Sequence, residues 1–168
     1  LPELNAPAGE TGRRGLRVAY FAGCATEFVL PSVGISLAGL LNALGVEVIF
    51  PKEQACCGIA VQANGDVETA KMMALHNLEV LSKVNADLVV TGCATCGSTL
   101  KEGWANLFRN ETCQDAFLDL GSKVKDISEL LVELADCRSL PLRSRLPGGT
   151  RVTYHDPCHL SGYQGVTE

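Results

Sequence analysis

The sequence predicts an α/β protein of three layers: an open parallel sheet, strands in the order 2-1-3, and helices on both faces. Three observations carry this. Apolar segments of strand length alternate along the chain with segments of helical periodicity, the pattern of βαβ units. The strand segments show no clean polar alternation, which suits burial on both faces. The chain has 168 residues, 46% of them apolar and 20% charged, enough for one full core and close to the globular norm.

Each element has its own local reason. Residues 1–15 hold two prolines and three glycines and read as a linker. Arg17 to Gly23 (RVAYFAG) is a buried strand. Pro31 suits the first turn of a helix; Val33, Leu37, Leu40, Leu41 and Leu44 form one face of it, and Gly45 stops it. Val46 to Pro51 is a second strand. Asp66 caps a helix running to about Val84, with Val67, Ala70, Ala74, Leu78 and Leu81 on one face. Asp87 to Thr91 is a third strand. Ser98 to Phe108 is helical, Val124 to Ile127 a brief edge strand, and Ser128 to Ala135 a short helix. Residues 141–150 form a loop rich in proline and glycine, and Arg151 to Tyr154 is a further strand. The core is expected from Val18, Tyr20, Leu37, Leu41, Val48, Ile49, Leu78, Leu81, Val89 and Val90.

A repeat is visible. Arg17-Val18-Ala19-Tyr20…Cys24 aligns with Arg151-Val152-Thr153-Tyr154…Cys158 at an offset of 134 residues. Residues 16–140 then read as one complete unit and residues 151–168 as the first strand of a second. The chain opens on Leu1-Pro2-Glu3 rather than methionine and reads as a piece of a longer protein.

The net charge of −5 argues against nucleic acid as a partner. No apolar run reaches the length of a spanning helix. Eight cysteines stand out. Cys24 is followed after 31 residues by Cys56-Cys57-Gly58, and after 35 more by Cys93-Ala94-Thr95-Cys96. Each group follows a predicted strand, and ligands of open parallel sheets bind at the carboxyl ends of strands. All five thiols therefore converge on one sheet edge. Adjacent side chains of an extended segment point apart, so Cys56 and Cys57 need an irregular turn, which Gly58 helps make. Five readings stay open: an iron–sulfur centre, tetrahedral zinc on four thiolates, a thioredoxin-like dithiol at Cys93 and Cys96, structural disulfides, and cysteines that merely fill the core. Five thiols exceed what one zinc needs. Cys113 and Cys137 fall outside the pattern and read as inert. His76 reads as solvated or helix-packed, Trp104 as packing, and Asp87 and Asp126 as strand-entry and capping residues. His155, Cys158 and His159 form a short cluster belonging to the second unit. With the second unit incomplete, the Cys56-Cys57 loop is expected to be mobile or tied by a disulfide to Cys93 or Cys96.

With its stretches FAGCATEF, PKEQACCGIAVQANGD and VTGCATCGSTLKE, and the later YHDPCHL, the chain closely resembles the CCG, or cysteine-rich, domain family across about residues 16–168. That family includes the iron–sulfur subunit of glycolate oxidase, lactate-utilisation iron–sulfur proteins, and subunits of anaerobic glycerol-3-phosphate dehydrogenase and heterodisulfide reductase. The likeness is greatest to the glycolate or lactate type. The resemblance implies that Cys24, Cys56, Cys57, Cys93 and Cys96 ligate an iron–sulfur cluster, a 4Fe-4S centre or the non-cubane kind held in heterodisulfide reductase. Cys158 would be the first ligand of a second, incomplete site. It also implies a cytoplasmic electron-transfer subunit of a 2-hydroxy-acid oxidoreductase, reaching a membrane face only through partners. Those partners are a flavin-containing subunit and, within the parent chain, a second CCG domain and a ferredoxin-like domain. Electrons would go to a quinone or another carrier. The segment alone is expected to be folded, not catalytic, and without its cluster.

Overall fold

The computed structural model describes residues 15–134 and 149–167. Four parallel strands, β1 (Arg17–Tyr20), β2 (Glu47–Ile49), β3 (Leu88–Thr91) and β4 (Val124–Asp126), form one sheet in the order β2-β1-β3-β4. Val18 pairs with Val48 on one side and Leu88 on the other, and Val89 pairs with Val124. The expected order 2-1-3 holds, and the edge segment read at 124–127 extends it.

β1 is central, and its residues alternate between two cores. Val18 and Tyr20 join Leu37, Ala38 and Leu41 of α2 (Pro31–Ala43) and Leu130 of α8 (Ile127–Leu134) on one face. Ala19 and Phe21 meet Ala74 and Leu81 of α4 (Val67–Ser82) on the other. Trp104 of α6 (Trp104–Leu107) and Phe117 and Leu120 of α7 (Gln114–Ser122) complete that second core. Trp104 sits edge-on to both Phe21 and Phe117, with ring centroids 6.3 and 5.9 Å away. Such edge contacts add to the area each ring buries.

Several boundaries differ from the sequence reading. α2 buries Gly34, Leu37, Ala38 and Leu41, while Val33 and Leu40 face outward. The buried stripe keeps Leu37 and Leu41 and takes in the small residues Gly34 and Ala38 in place of Val33 and Leu40. On α4, Val67 faces outward and Asn77 is buried instead. Ile49 and Leu78 are half-buried at the margins of the core. The helix read at 98–108 starts earlier, as α5 (Ala94–Ser98), and passes through a π-helical turn (Thr99–Gly103) into α6. Two short helices, α1 (Gly23–Phe28) and α3 (Ile59–Ala63), follow the first two strands, and neither carries an apolar periodicity long enough to read.

The expected strand at Arg151–Tyr154 does not form. Val152 and Tyr154 are more than 70% exposed, and the segment pairs with no described strand. Four residues without a neighbouring ladder leave their backbone groups to water. The segment leads into α9 (Cys158–Gln164), which packs on α5. All but Gly15 of the linker at 1–15, Cys137 and most of the loop at 141–150 lie outside the described residues.

Candidate metal centre

Three loops bring the cysteines together, each leaving the carboxyl end of a strand. Cys24 lies in the first turn of α1, directly after β1. Gly23 precedes it with φ of +71°, and a Cβ there would stand 2.8 Å from Cys96 Sγ. Only glycine combines that conformation with that closeness. Cys56 and Cys57 sit in the loop after β2, which Gly58 ends in the left-handed region before α3. Cys93 follows β3 and leads into α5, which carries Cys96.

All five line one apolar cavity of about 110 Å³, together with Ala22, Ile59, Ala60 and Thr95. Cys57 and Cys96 are buried, Cys56 and Cys93 half-buried, and Cys24 exposed. The vicinal pair reaches opposite ways. The Cys56 thiol donates to Cys24 Sγ at 3.7 Å, and the Cys96 thiol donates to Cys57 Sγ at 3.6 Å. The expected convergence of thiols from three strand ends is therefore present. The expected disulfide to Cys93 or Cys96 is not formed: the seven described cysteines are all free, and polar clamps hold the loop.

Those clamps are the residues that sequence reasoning missed. Asn77, fully buried on α4, accepts from Ala55 N–H at 2.8 Å and donates through Nδ2 to the Cys56 carbonyl at 3.0 Å. Trp104 Nε1 donates to the Cys57 carbonyl at 2.9 Å, so this ring positions the loop as well as packing. Gln54 accepts from Ala22 N–H at 2.9 Å and donates to the carbonyls of Tyr20 and Pro51 at 3.1 and 2.9 Å. It ties the end of β1 to the loop before Cys56. One signal was readable: Asn77 falls in helical register with Ala70, Ala74 and Leu81, a polar residue on an apolar stripe.

The thiols differ electrostatically. The Cys96 thiol beside Cys93, together with the backbone N–H groups of Cys96 and Thr95, holds the Cys93 thiol down to about 6. Cys57 is also lowered, first by its hydrogen bond from Cys96 and then by the Ile59 N–H and the Thr99 hydroxyl. Cys96 keeps its proton: it donates to Cys57, is buried, and lies beside both Cys57 and Cys93. Burial pushes Cys56 up to about 11.

The donor set fits a metal group. Two thiolates on one tetrahedral metal stand roughly 3.8 Å apart when the metal–sulfur bond is about 2.3 Å, close to both sulfur contacts. The cavity of about 110 Å³ has room for several water-sized atoms, at roughly 30 Å³ each. Among the described residues no three His, Cys, Asp or Glu side chains converge on a single ion position. The thiols stand as two contact pairs plus Cys93 around a shared space, an arrangement suited to a group with several metal positions.

The other predicted residues stand apart. Cys158 is exposed, its Sγ 3.4 Å from His159 Nδ1, and His159 stacks on Tyr163. Neither lines the five-cysteine cavity, and His155 is exposed. His76 is exposed against the Glu53 carbonyl at 2.7 Å. Asp87 accepts from Arg17 N–H at the strand entry, and Asp126 accepts from Ser128 at the start of α8, as expected. No described helix is long and apolar enough to cross a membrane.

Comparison with known proteins agrees with this geometry. A family model described as a cysteine-rich domain, CCG, matches residues 18–101, half the chain. An uncharacterized iron–sulfur protein of Methanocaldococcus jannaschii is 43% identical over 151 residues, 90% of this chain and 27% of that protein. One of the subunits of a CoM/CoB fumarate reductase from Methanothermobacter marburgensis is 34% identical over 152 residues, covering 90% and 27%. A probable glycolate oxidase iron–sulfur subunit of Bacillus subtilis is 33% identical over 144 residues, covering 86% and 32%. The chain thus spans about a third or less of the length of each of these relatives.

Proposed function

The chain belongs to the cysteine-rich CCG domain family, and from that premise we propose that it is an iron–sulfur-binding electron-transfer module of an oxidoreductase. Cys24, Cys56, Cys57, Cys93 and Cys96 would hold the cluster. The single observation behind this is that all five line one cavity. When bound, the cluster supplies reversible one-electron chemistry at a potential set by its surroundings. The chain's own residues supply thiolate ligands, an apolar wall of buried Ala22 and half-buried Ile59 that limits water, and N–H groups beside the sulfurs. Asn77 and Trp104 fix the loop so that Cys56 and Cys57 face the cavity from opposite sides.

The names of the relatives guide the finer reading. By analogy with the glycolate oxidase subunit, the donor is a flavin-bearing partner that oxidises a 2-hydroxy acid, and the acceptor is a quinone or another carrier. Residues 151–168 begin a second cysteine unit, with Cys158 as its first ligand, and a ferredoxin-like domain belongs to the same parent protein.

Anaerobic reconstitution tests the core of this. Iron and acid-labile sulfide are measured per chain, with visible absorption. The expected result is a brown protein holding several irons, lost in Cys57→Ser and Cys96→Ser and kept in Cys113→Ser. Iron at background in both the segment and its parent protein refutes the reading, and about one zinc with negligible iron assigns a structural zinc module instead.

A second reading draws on the 3.6 Å contact between Cys57 and Cys96. Two thiols there could release two electrons and two protons to an acceptor disulfide and form one disulfide of their own. Alkylation of the metal-free protein at graded pH separates the two: one thiol consumed far faster than the rest, with no iron bound, favours this chemistry.

A further inference from the structure

One continuous helical stretch runs from α5 into α6, and it leaves α geometry at the π-helical turn Thr99–Gly103. Before the turn, the Thr99 N–H bonds the Thr95 carbonyl, four residues back. After it, the Phe108 N–H bonds the Trp104 carbonyl at 3.1 Å, again four back. Between them the Trp104 N–H reaches five back, to the Thr99 carbonyl. A bond that closes on the fifth residue takes one extra residue into the turn, and such turns inside α-helices are frequent at functional sites.

The extra residue decides what the stretch can hold. Residues of a regular α-helix advance about 100° each, so the eighth residue after Cys96 would stand about 80° away around the axis, and the seventh about 20° away. With one residue absorbed by the turn, Trp104 takes roughly the angular place of the seventh. Cys96 and Trp104 therefore share a face, and both hold Cys57. The Cys96 thiol donates to Cys57 Sγ at 3.6 Å, and Trp104 Nε1 donates to the Cys57 carbonyl at 2.9 Å. Without the turn, Gly103 would stand where Trp104 does, and it has no side chain to offer. The turn is braced from two helices. Gly121 of α7 lies so close that a Cβ there would stand 2.3 Å from the Lys101 carbonyl oxygen. A backbone oxygen cannot swing aside as a side chain can, so only glycine fits. On another side Lys101 Nζ meets Glu129 of α8 at 2.6 Å, in a partly buried pair.

We propose that the π-helical turn is a register element of the cysteine site, and that Gly121 is the positioning residue that holds it. By absorbing one residue, the turn brings Cys96 and Trp104 onto Cys57 together, one at its sulfur and the other at its carbonyl. Cys57 is thereby fixed toward Cys96, while its neighbour Cys56 reaches Cys24. Gly121 touches none of the five cysteines and acts through the turn. An alanine there would push on the Lys101 carbonyl, rotate the stretch on one side of the turn against the other, and part Trp104 from Cys57.

Deleting Glu102 tests this on the reduced, metal-free chain. Glu102 is exposed, and its loss takes one residue out of the turn. Glu102→Ala keeps the length and serves as control. Cys57 is 3% exposed, so iodoacetamide reaches it only when the loop opens. Its labelling, mapped by peptide, should be about tenfold or more faster in the deletion variant and unchanged in Glu102→Ala. The faster labelling should be flat in low urea, the mark of local opening, because labelling through global unfolding rises steeply with urea. Gly121→Ala should open the loop in the same way. In a Trp104→Phe background, which keeps a ring and lacks the N–H, Gly121→Ala should add nothing, because the two act through one contact. Equal labelling in the deletion variant and Glu102→Ala overturns the proposal. So does labelling that tracks global unfolding, and so does a Gly121→Ala effect that persists in full without the indole. If the deletion variant does not fold, the Gly121→Ala comparison decides alone. Every readout is taken without metal, so this proposal and the iron–sulfur reading fail separately.

Discussion

Replacing Asn77 with alanine removes the clamp on the cysteine loop, and its cost can be worked out from the structure. The side chain is fully buried and makes two hydrogen bonds, 2.8 Å from Ala55 N–H and 3.0 Å to the Cys56 carbonyl. A buried group left unsatisfied costs about 1–3 kcal/mol. Ala55 and Cys56 are half-buried, and water can recapture part of this, so the low end applies, about 1 kcal/mol each. Truncating the buried side chain adds about 1 kcal/mol for the space left behind. The sum, about 3 kcal/mol, corresponds to a fall in midpoint of roughly 6–12 °C for a domain of this size. Cys57 gives a second readout. It is 3% exposed, so alkylation needs the loop to open. An opening cheaper by about 3 kcal/mol speeds its labelling on the order of a hundredfold. The assay is thermal unfolding of the reduced, metal-free protein, with peptide mapping of iodoacetamide adducts. Ser82→Ala on the exposed end of α4 serves as control, with an expected change within about 0.5 kcal/mol. A midpoint within about 2 °C of the parent sequence, with unchanged Cys57 labelling, would refute the clamp.

Gly23→Ala places a side chain at φ +71° and a Cβ 2.8 Å from Cys96 Sγ. Backbone strain of about 1–2 kcal/mol plus displacement of Cys96 should lower the midpoint and reduce iron taken up on reconstitution, and unchanged iron would contradict that placement. Gly39→Ala lies in the interior of α2 with nothing within 4 Å, so it should stabilise the protein by about 0.5–1 kcal/mol in a denaturant titration. The thiols predict a pH dependence of the metal-free protein. Cys93 is held at about 6 against an ordinary value of 9.0, so its contribution is full above 9 and is lost as pH falls through 6. Cys56, raised to about 11, contributes fully below 9 and loses that contribution as pH rises through 11. Stability should therefore fall toward acid in the parent sequence and fall less in Cys93→Ser. Identical acid limbs would remove Cys93 as the cause.

The strands and the longer helices were legible because burial imposes a period. β1, β2 and β3 are short apolar runs between turn residues, and α2 and α4 carry repeating apolar positions across three or more turns. α1 and α3 span six and five residues, too few for any period to show. α7 offers only Phe117 and Leu120 as large buried anchors, one turn apart. The buried face of α2 was only partly legible for a different reason: Gly34 and Ala38 lie on it, and a periodicity of large apolar residues does not register them. For the site, the cysteines declared themselves by type and spacing, and topology brought them together. The clamps did not, because Asn77 and Gln54 act through backbone groups of residues distant in sequence, and nothing in a linear pattern says which carbonyl a buried amide will meet.

The graded burial of the five thiols bears on how a metal group and the cysteine loop would act on each other. Cys57 and Cys96 are inside, Cys56 and Cys93 half-buried, and Cys24 is exposed. Without metal, burial disfavours the thiolate form, as it does at Cys56. A bound metal group would offset the thiolate charge, and the same burial would then carry no such penalty. Metal binding and a closed loop should therefore favour each other, and linkage requires the effect to be reciprocal. Asn77→Ala, which frees the Ala55 N–H and the Cys56 carbonyl, should then weaken iron retention against a chelator without touching a ligand. Iron held equally firmly with and without Asn77 would make loop closure and metal binding independent.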